Sequence, residues 1–460
     1  MHLRAVMTIL ILLALAVTPV RADEALAQQI LKELIDVNTA PSGGNDMSEA
    51  IALLDGHLRA AGFDDDDITI VDGPDGIQHM VVRFSSPRPQ HEPILMMAHL
   101  DVVEGLREDW SFEPYNMIER DGYFYGRGTV DNKAGAAIIV ANLVRMKREG
   151  YRPNRDLIAM LTGDEETTGA GANWLATEGR ELIDAEYALN SDGGGVILED
   201  GEETVFVVQT AEKVYVSYRL QAVDPGGHSS RPRPDNPIYR IARALAALQQ
   251  HAFPLDLNET TQQFFAHRAM EAPAEELAVL EPLAAGDLDD AALASLPEFP
   301  YYNALARATC VATQLDGGHA ENALPQSATA VVNCRVLPQM PIEEVERTLA
   351  NIVAPFDLEL EQIAPTNAGP PSPLSETIVE PIRDVATELW PGIDLVPQMS
   401  TGATDGLFLR AVGIPVYGVS ALAADPAENR AHGKDERVRV ESFNNALTYW
   451  YRLTRHLTGG

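Results

Sequence analysis

Residues 94–101 read Ile-Leu-Met-Met-Ala-His-Leu-Asp. Five apolar residues in succession leave no polar face, so 94–98 is expected to be a strand covered on both sides, as in a parallel sheet between helices. Residues two apart on a strand share a face, so His99 and Asp101 at its end point together. An imidazole that binds a metal through one nitrogen commonly gives its other N–H to a carboxylate. A surface histidine beside an unrelated aspartate is the alternative.

Outward from this strand, residues 25–35, 47–61 and 136–149 read as helices, the last ended by Gly150, and 156–161 and 187–190 as further strands. Strands alternating with helices indicate an α/β domain with a mixed, largely parallel sheet. The pattern changes near Ala211. Residues 214–223 alternate as a half-exposed strand, 236–250 form an amphipathic helix, and 307–315 and 328–337 are strands. A helix at 342–353 and a strand at 358–363 complete a β-α-β-β-α-β unit, an inserted α+β domain. An acidic, Ala-rich, Pro-punctuated insertion at about 251–306 interrupts it. Pro365 to Pro373 leads back to α/β sequence, with a helix at 375–390 and a strand around 414–419. The expected organisation is therefore a catalytic domain in two parts, 23–210 and 366–460, around a second unit at 211–365. The run Asp64 to Asp67 reads as a solvated turn.

The chain has 460 residues, 45% hydrophobic and 22% charged, as expected of a globular protein with sizeable cores. Sixty-eight acidic against 34 basic residues give a net charge of −34, which repels phosphate backbones and anionic membranes. Arg4, the apolar run Ala5 to Val17 and the exit Val20-Arg21-Ala22 read as a secretory signal, residues 1–22, too short to span a bilayer. Export to a periplasmic or extracellular location follows, with a mature chain from about Asp23. In that oxidising setting Cys310 and Cys334, each in an expected strand, are candidates for a disulfide, with two buried thiols as the alternative.

Three more segments place polar groups just past strands or turns. Gly126-Arg127-Gly128-Thr129-Val130-Asp131-Asn132-Lys133 lacks phosphate-loop spacing, and Asp131 could serve as a ligand or as a helix N-cap. Gly163-Asp164-Glu165-Glu166 is either a solvated turn or a pair in which one glutamate ligates a metal while the other handles a proton. Asn190-Ser191-Asp192 adds a carboxylate, and His432 lies in the polar loop 429–436. Ligands bind beyond the carboxyl ends of strands in open α/β sheets, so these groups should converge. Imidazoles and carboxylates without thiolates suit zinc, with cobalt or manganese as further options. The inventory fills a two-ion site: Asp131 as bridge, His99 and Asp192 on one ion, Glu166 and His432 on the other. Glu165 remains as base and Asp101 as support for His99.

In this order the motifs resemble the zinc aminopeptidase-like hydrolases grouped with glutamate carboxypeptidase (carboxypeptidase G), aminoacylase, acetylornithine deacetylase and succinyl-diaminopimelate desuccinylase. The resemblance spans essentially the whole mature chain. It implies a catalytic domain with an inserted ferredoxin-like lid, often dimerised lid to lid, although the insertion at 251–306 exceeds the compact family lid. It further implies a cis Asp131–Asn132 peptide and a role for His228, in Gly226-Gly227-His228-Ser229, in polarising the scissile carbonyl. Asn322 and Arg335 correspond to the family's substrate-carboxylate site, and Gly402 and Thr404 to the loop lining the substrate. Ala134 and Ala403 stand where family members often have glycine. The implied activity is an exported di-zinc carboxypeptidase or dipeptidase, cleaving next to a free C-terminal carboxylate. An N-acyl-amino-acid deacylase is the alternative, and a catalytically silent peptide-binding relative is the reading from another class. Small peptides or N-acyl amino acids are the expected partners, with no nucleic acid and no membrane after signal cleavage.

Overall fold

Strand Ile94–His99 is buried at every position, with Ile94, Met96 and Ala98 in one hydrophobic core and Leu95 and Met97 in another. That split is why the run carries no polar residue. In the computed structural model, which describes residues 22–364, 366 and 368–459, this strand lies near the middle of a ten-stranded mixed sheet. The order is 68–72, 78–84, 157–162, 94–99, 187–190, 416–418, 202–212, 195–199, 423–424, with 394–400 beside 202–212. The central strands 157–162, 94–99, 187–190 and 416–418 are mutually parallel, so their carboxyl ends open on one edge. The expected leader, residues 1–22, lies outside the described residues except for Ala22, where the first helix begins.

Helices Ala22–Ile35, Ser48–Ala61, Lys133–Arg148 and Val440–Leu457 contribute to the core on one face. Ala170–Ala176 and Gly406–Ala411 contribute to the core on the other. Each buried Leu or Ile there contributes roughly 1.5–3 kcal/mol of burial.

The second unit forms its own antiparallel sheet in the order 309–317, 327–336, 214–223, 359–362, so the β-α-β-β-α-β reading holds as an inserted α+β layer. Val214, Val216, Tyr218, Leu220 and Ala222 alternate into its core with helices Pro237–Gln249 and Ile342–Val353. Cys310 stands opposite Cys334 in register, and the two form a disulfide.

The insertion is helical, built from Glu259–Glu271, Ala274–Ala285, Asp290–Ser295 and Pro300–Ala306. It packs on the large sheet as well as on the lid. Thr260 and Thr210 share a hydroxyl hydrogen bond of 2.8 Å, and Gln398 Nε2 donates to the Tyr301 hydroxyl at 2.8 Å. Strand Glu202–Glu212 passes into strand Val214–Val223 through Lys213, whose buried Nζ donates to the carbonyls of Ala304 and Arg307. Burial pushes that amine down to about 7.

Candidate active site

The parallel strands deliver their polar followers to one place. His99 ends its strand, the turn Gly163–Glu166 follows Leu157–Thr162, and Asp192 follows Tyr187–Asn190. His99 Nε2 lies 2.9 Å from Asp131 Oδ1 and 3.8 Å from Asp192 Oδ2. His432 Nε2 lies 3.1 Å from Asp131 Oδ2 and 3.0 Å from Glu166 Oε1. The two oxygens of Asp131 thus face two different imidazoles, with Asp192 beside one and Glu166 beside the other. Ligand atoms of His99, Glu165 and Asp192 also lie within 4.8 Å of one another, as do those of His99, Asp131 and Glu166.

These separations suit shared cations. Two donors each about 2.1 Å from one tetrahedral ion lie roughly 3.4 Å apart. The charges suit them too, because Asp101, Asp131, Glu165, Glu166 and Asp192 face only two imidazoles.

Asp131 is not a helix cap. The capping position belongs to Asn132, which makes no side-chain capping bond, and the Asp131–Asn132 peptide is cis. Ser191 Oγ donates to Asn132 Oδ1 and the amide of Asn132 donates to the Ser191 carbonyl, joining this loop to the Asp192 turn. A Cβ on Gly135 would lie 2.1 Å from Ser191 Oγ, so only glycine lets the helix start approach so closely. Behind it, Lys133 Nζ donates to the carbonyls of Leu34 and Val37, and burial pushes it down to about 7.

Asp101 differs from expectation in detail. The closer partner of His99 Nδ1 is the Asp101 main-chain oxygen at 3.0 Å, with the carboxylate at 3.5 Å. That carboxylate accepts the N–H groups of Glu165 (3.2 Å) and Glu166 (2.9 Å), so it fixes the acidic turn more than the imidazole.

Burial pushes Glu165 well above the ordinary carboxylate range; the charge of His99 opposes this, and Asp192, Asp405 and Asp131 reinforce it. Burial and the nearby Asp131 charge raise Asp192 to about 7. Hydrogen bonds to Asp131 and Glu166 raise His432 to about 10. Burial disfavours a charge on His99, but its bonds to Asp101 and Asp131 outweigh that and raise it as well.

The loop bearing Gly402 and Thr404 reaches the same edge: Asn190 Nδ2 donates to Thr404 Oγ1 at 3.3 Å, and Thr404 N donates to Glu212 at 2.7 Å. The lid residues do not join the cluster by any hydrogen bond or ion pair among the described residues. His228 and Asn322 are exposed and adjacent, in the short pairing of 227–228 with 323–324, where Ser229 N donates to the Asn322 carbonyl. Arg335 holds its guanidinium 4.6 Å from the Tyr215 ring centroid.

Several supporting residues carried no signal in the reading of the sequence. Buried Glu212 pairs with Arg410 beneath Thr404. Asp405 accepts a 2.5 Å bond from Thr162 Oγ1, and His79 Nδ1 accepts the Gly163 N–H beneath the acidic turn. Buried Glu436 pairs with Arg127 at 2.6 Å. Arg127, Asp405 and Glu436 stood inside segments singled out in the sequence but were given no role there; Glu212, Arg410 and His79 lay outside them.

Imidazoles and carboxylates gathered at the carboxyl ends of parallel central strands, in a chain with an inserted α+β unit, define a metallo-hydrolase of amide bonds. The chain belongs to peptidase family M20/M25/M40, which matches residues 95–456. It is 28% identical over 402 residues to the human N-fatty-acyl-amino acid synthase/hydrolase PM20D1, covering 83% of this chain and 78% of that protein. Its fold matches the M20 family metallo-carboxypeptidase Sso-CP2 of Sulfolobus solfataricus, with a TM-score of 0.71 at 17% identity over 94% of this chain and 99% of the other. Human carnosine dipeptidase 1 matches with a TM-score of 0.64 at 14% identity, over 95% and 97% of the two chains.

Proposed function

We propose that the chain hydrolyses an amide bond adjacent to a free C-terminal carboxylate, using two divalent ions, zinc by donor preference. The observation that carries this is Asp131, whose two oxygens lie 2.9 Å and 3.1 Å from the imidazoles of His99 and His432. His99, Asp131 and Asp192 would hold one ion, and Asp131, Glu166 and His432 the other. Bound there, the ions would acidify water and polarise the amide carbonyl.

Glu165 takes the proton of the attacking water and returns it to the leaving amine. Its ligand-range distance from His99 and Asp192 puts it within reach of both halves of that cycle. Asp101 holds Glu165 in place through the backbone bond already described. His228 donates to the developing oxyanion when the lid approaches the cluster. Arg335 binds the substrate carboxylate through its planar fork, with Asn322 beside His228 and with Gly402 and Thr404 lining the near wall.

Cleavage of peptides is one reading of this site. A second, hydrolysis of N-acylated amino acids, is favoured by the relatives named for N-fatty-acyl-amino acids. The same carboxylate clamp serves both. Export through the leader at 1–22 is supported by the Cys310–Cys334 disulfide, since reducing compartments keep thiols free.

The test is zinc content together with turnover, on dipeptides and on N-acyl amino acids from acetyl to long-chain. About two ions per chain and chelator-sensitive hydrolysis are expected, and the faster substrate set selects the reading. Protein without stoichiometric metal would overturn the ligand assignment.

A further inference from the structure

The two imidazoles of the cluster are held in different ways. His99 is 1% exposed, ends a central strand and has its Nδ1 bonded to Asp101. His432 has a side chain 55% exposed, and it lies in a loop outside any regular element, with a left-handed φ of 61°. Its Nδ1 has no protein partner among the described residues. A metal-binding histidine ordinarily has its second nitrogen anchored. A non-glycine residue in the left-handed region persists only where its surroundings hold it. The aim of His432 must therefore come from its backbone.

One buried ion pair supplies that hold. Arg127 Nη2 donates to the carbonyls of Gly433 (3.0 Å) and His432 (3.3 Å), while Nη1 donates to Glu436 Oε2 at 2.6 Å. The Glu436 carboxylate in turn accepts Gly128 N at 3.1 Å, Val130 N at 2.7 Å and Asp131 N at 3.2 Å. A continuous run of bonds thus joins the His432 backbone, through Arg127 and Glu436, to the backbone of Asp131. Its length sets the distance between the bridging carboxylate and the second imidazole. Only a guanidinium can serve the carbonyls and the carboxylate together, because its donors fan from one plane; a lysine offers a single nitrogen.

We propose that Arg127, held by Glu436, is a positioning residue for the second metal ion, the one between Asp131, Glu166 and His432, through the His432 and Gly433 carbonyls, and that it has little influence on the ion at His99 and Asp192. This rests on the two-ion reading above. It makes the sites unequal in origin: the first is built by a strand and its neighbours, the second by a loop set through a buried salt bridge.

The experiment is zinc titration of chelator-stripped protein against a chromophoric chelator, for wild type, Arg127→Lys, His432→Ala and the double variant, with circular dichroism as the fold check. Arg127→Lys is expected to weaken the second zinc by about 10–100-fold, the usual range for outer partners of a ligand, and to change the first by less than about threefold. The double variant should bind the second zinc no more weakly than His432→Ala alone, because Arg127 acts through His432. Equal weakening of both ions, no weakening, or multiplied effects in the double variant would each overturn the proposal. Should Arg127→Lys lose native circular dichroism, Arg127→Gln is the second variant, with the same expected and overturning results. Wild-type protein that binds fewer than two zinc ions would instead remove the two-ion reading itself.

Discussion

His99 and His228 belong to the same proposed reaction and live in opposite surroundings. His99 is buried, and both ring nitrogens are engaged by carboxylates or by the Asp101 backbone. His228 is exposed, and among the described residues its ring Nδ1 meets only Ser230, two residues on in the same loop. The difference runs through the whole molecule. On the sheet edge the polar groups are already gathered and hold one another in place. On the lid, exposed His228 and half-buried Arg335 have, among the described residues, no hydrogen-bond or ion-pair partner in the cluster. On the proposed reading, the groups that need fixed charge are built into one body, and His228 and Arg335, which would come to the substrate, are carried on another.

The sharpest way to break this contrast is Glu165→Ala. On the proposed reading it retains about two zinc ions by elemental analysis and loses about 10⁴-fold in kcat, the upper range for a general acid–base group. Near wild-type turnover would move the base elsewhere. His228→Ala comes next. It should keep its metals and lose about 10²–10³-fold in kcat, as expected for one oxyanion donor. Altered metal content in that variant would mean that the lid helps to build the cluster, and the contrast would fail. Arg335→Lys should raise KM about 10–100-fold with kcat within about threefold, because a lysine cannot reproduce the bidentate grip. A kcat effect larger than the KM effect would place Arg335 at the reacting bond instead.

The same contrast governs what the sequence made legible. Strands 94–99, 157–162 and 187–190 are buried on both faces, so each announces itself as an apolar run, with a ligand-type residue at its end (His99) or just beyond it (Glu166, Asp192). The lid strand 214–223 has one solvated face and therefore alternates. Strand Asp394–Ser400 was not legible, since it carries Pro397 and pairs only with 202–212, where an edge position tolerates a missing N–H. The insertion hid its helices because it packs against both the lid and the large sheet, so no single apolar stripe emerges. Glu436 and Arg127 are far apart in sequence and look like solvated loop charges; only the closed fold buries them against each other. Composition cannot show such a pairing.

The smallest expected effect asks whether the two regions are separate bodies at all. The Cys310–Cys334 bridge closes a segment of 24 residues wholly within the lid. Replacing both cysteines by serine should cost about 3 kcal/mol of unfolding free energy on the chain-entropy account, without altering zinc content. If the lid unfolds on its own, one of two denaturation transitions moves and the other, reporting the large sheet, stays fixed. The contacts argue for a single transition. Tyr301 and Thr260 of the insertion bond to Gln398 and Thr210 of the large sheet. Lys213, at the passage between the sheets, is gripped by the carbonyls of Ala304 and Arg307. The expected result is therefore one cooperative transition shifted as a whole, measured by urea unfolding with matched intrinsic fluorescence and circular dichroism. Two transitions, with only one displaced, would show that the insertion does not bind the lid to the catalytic sheet and that lid movement is free at the Lys213 passage.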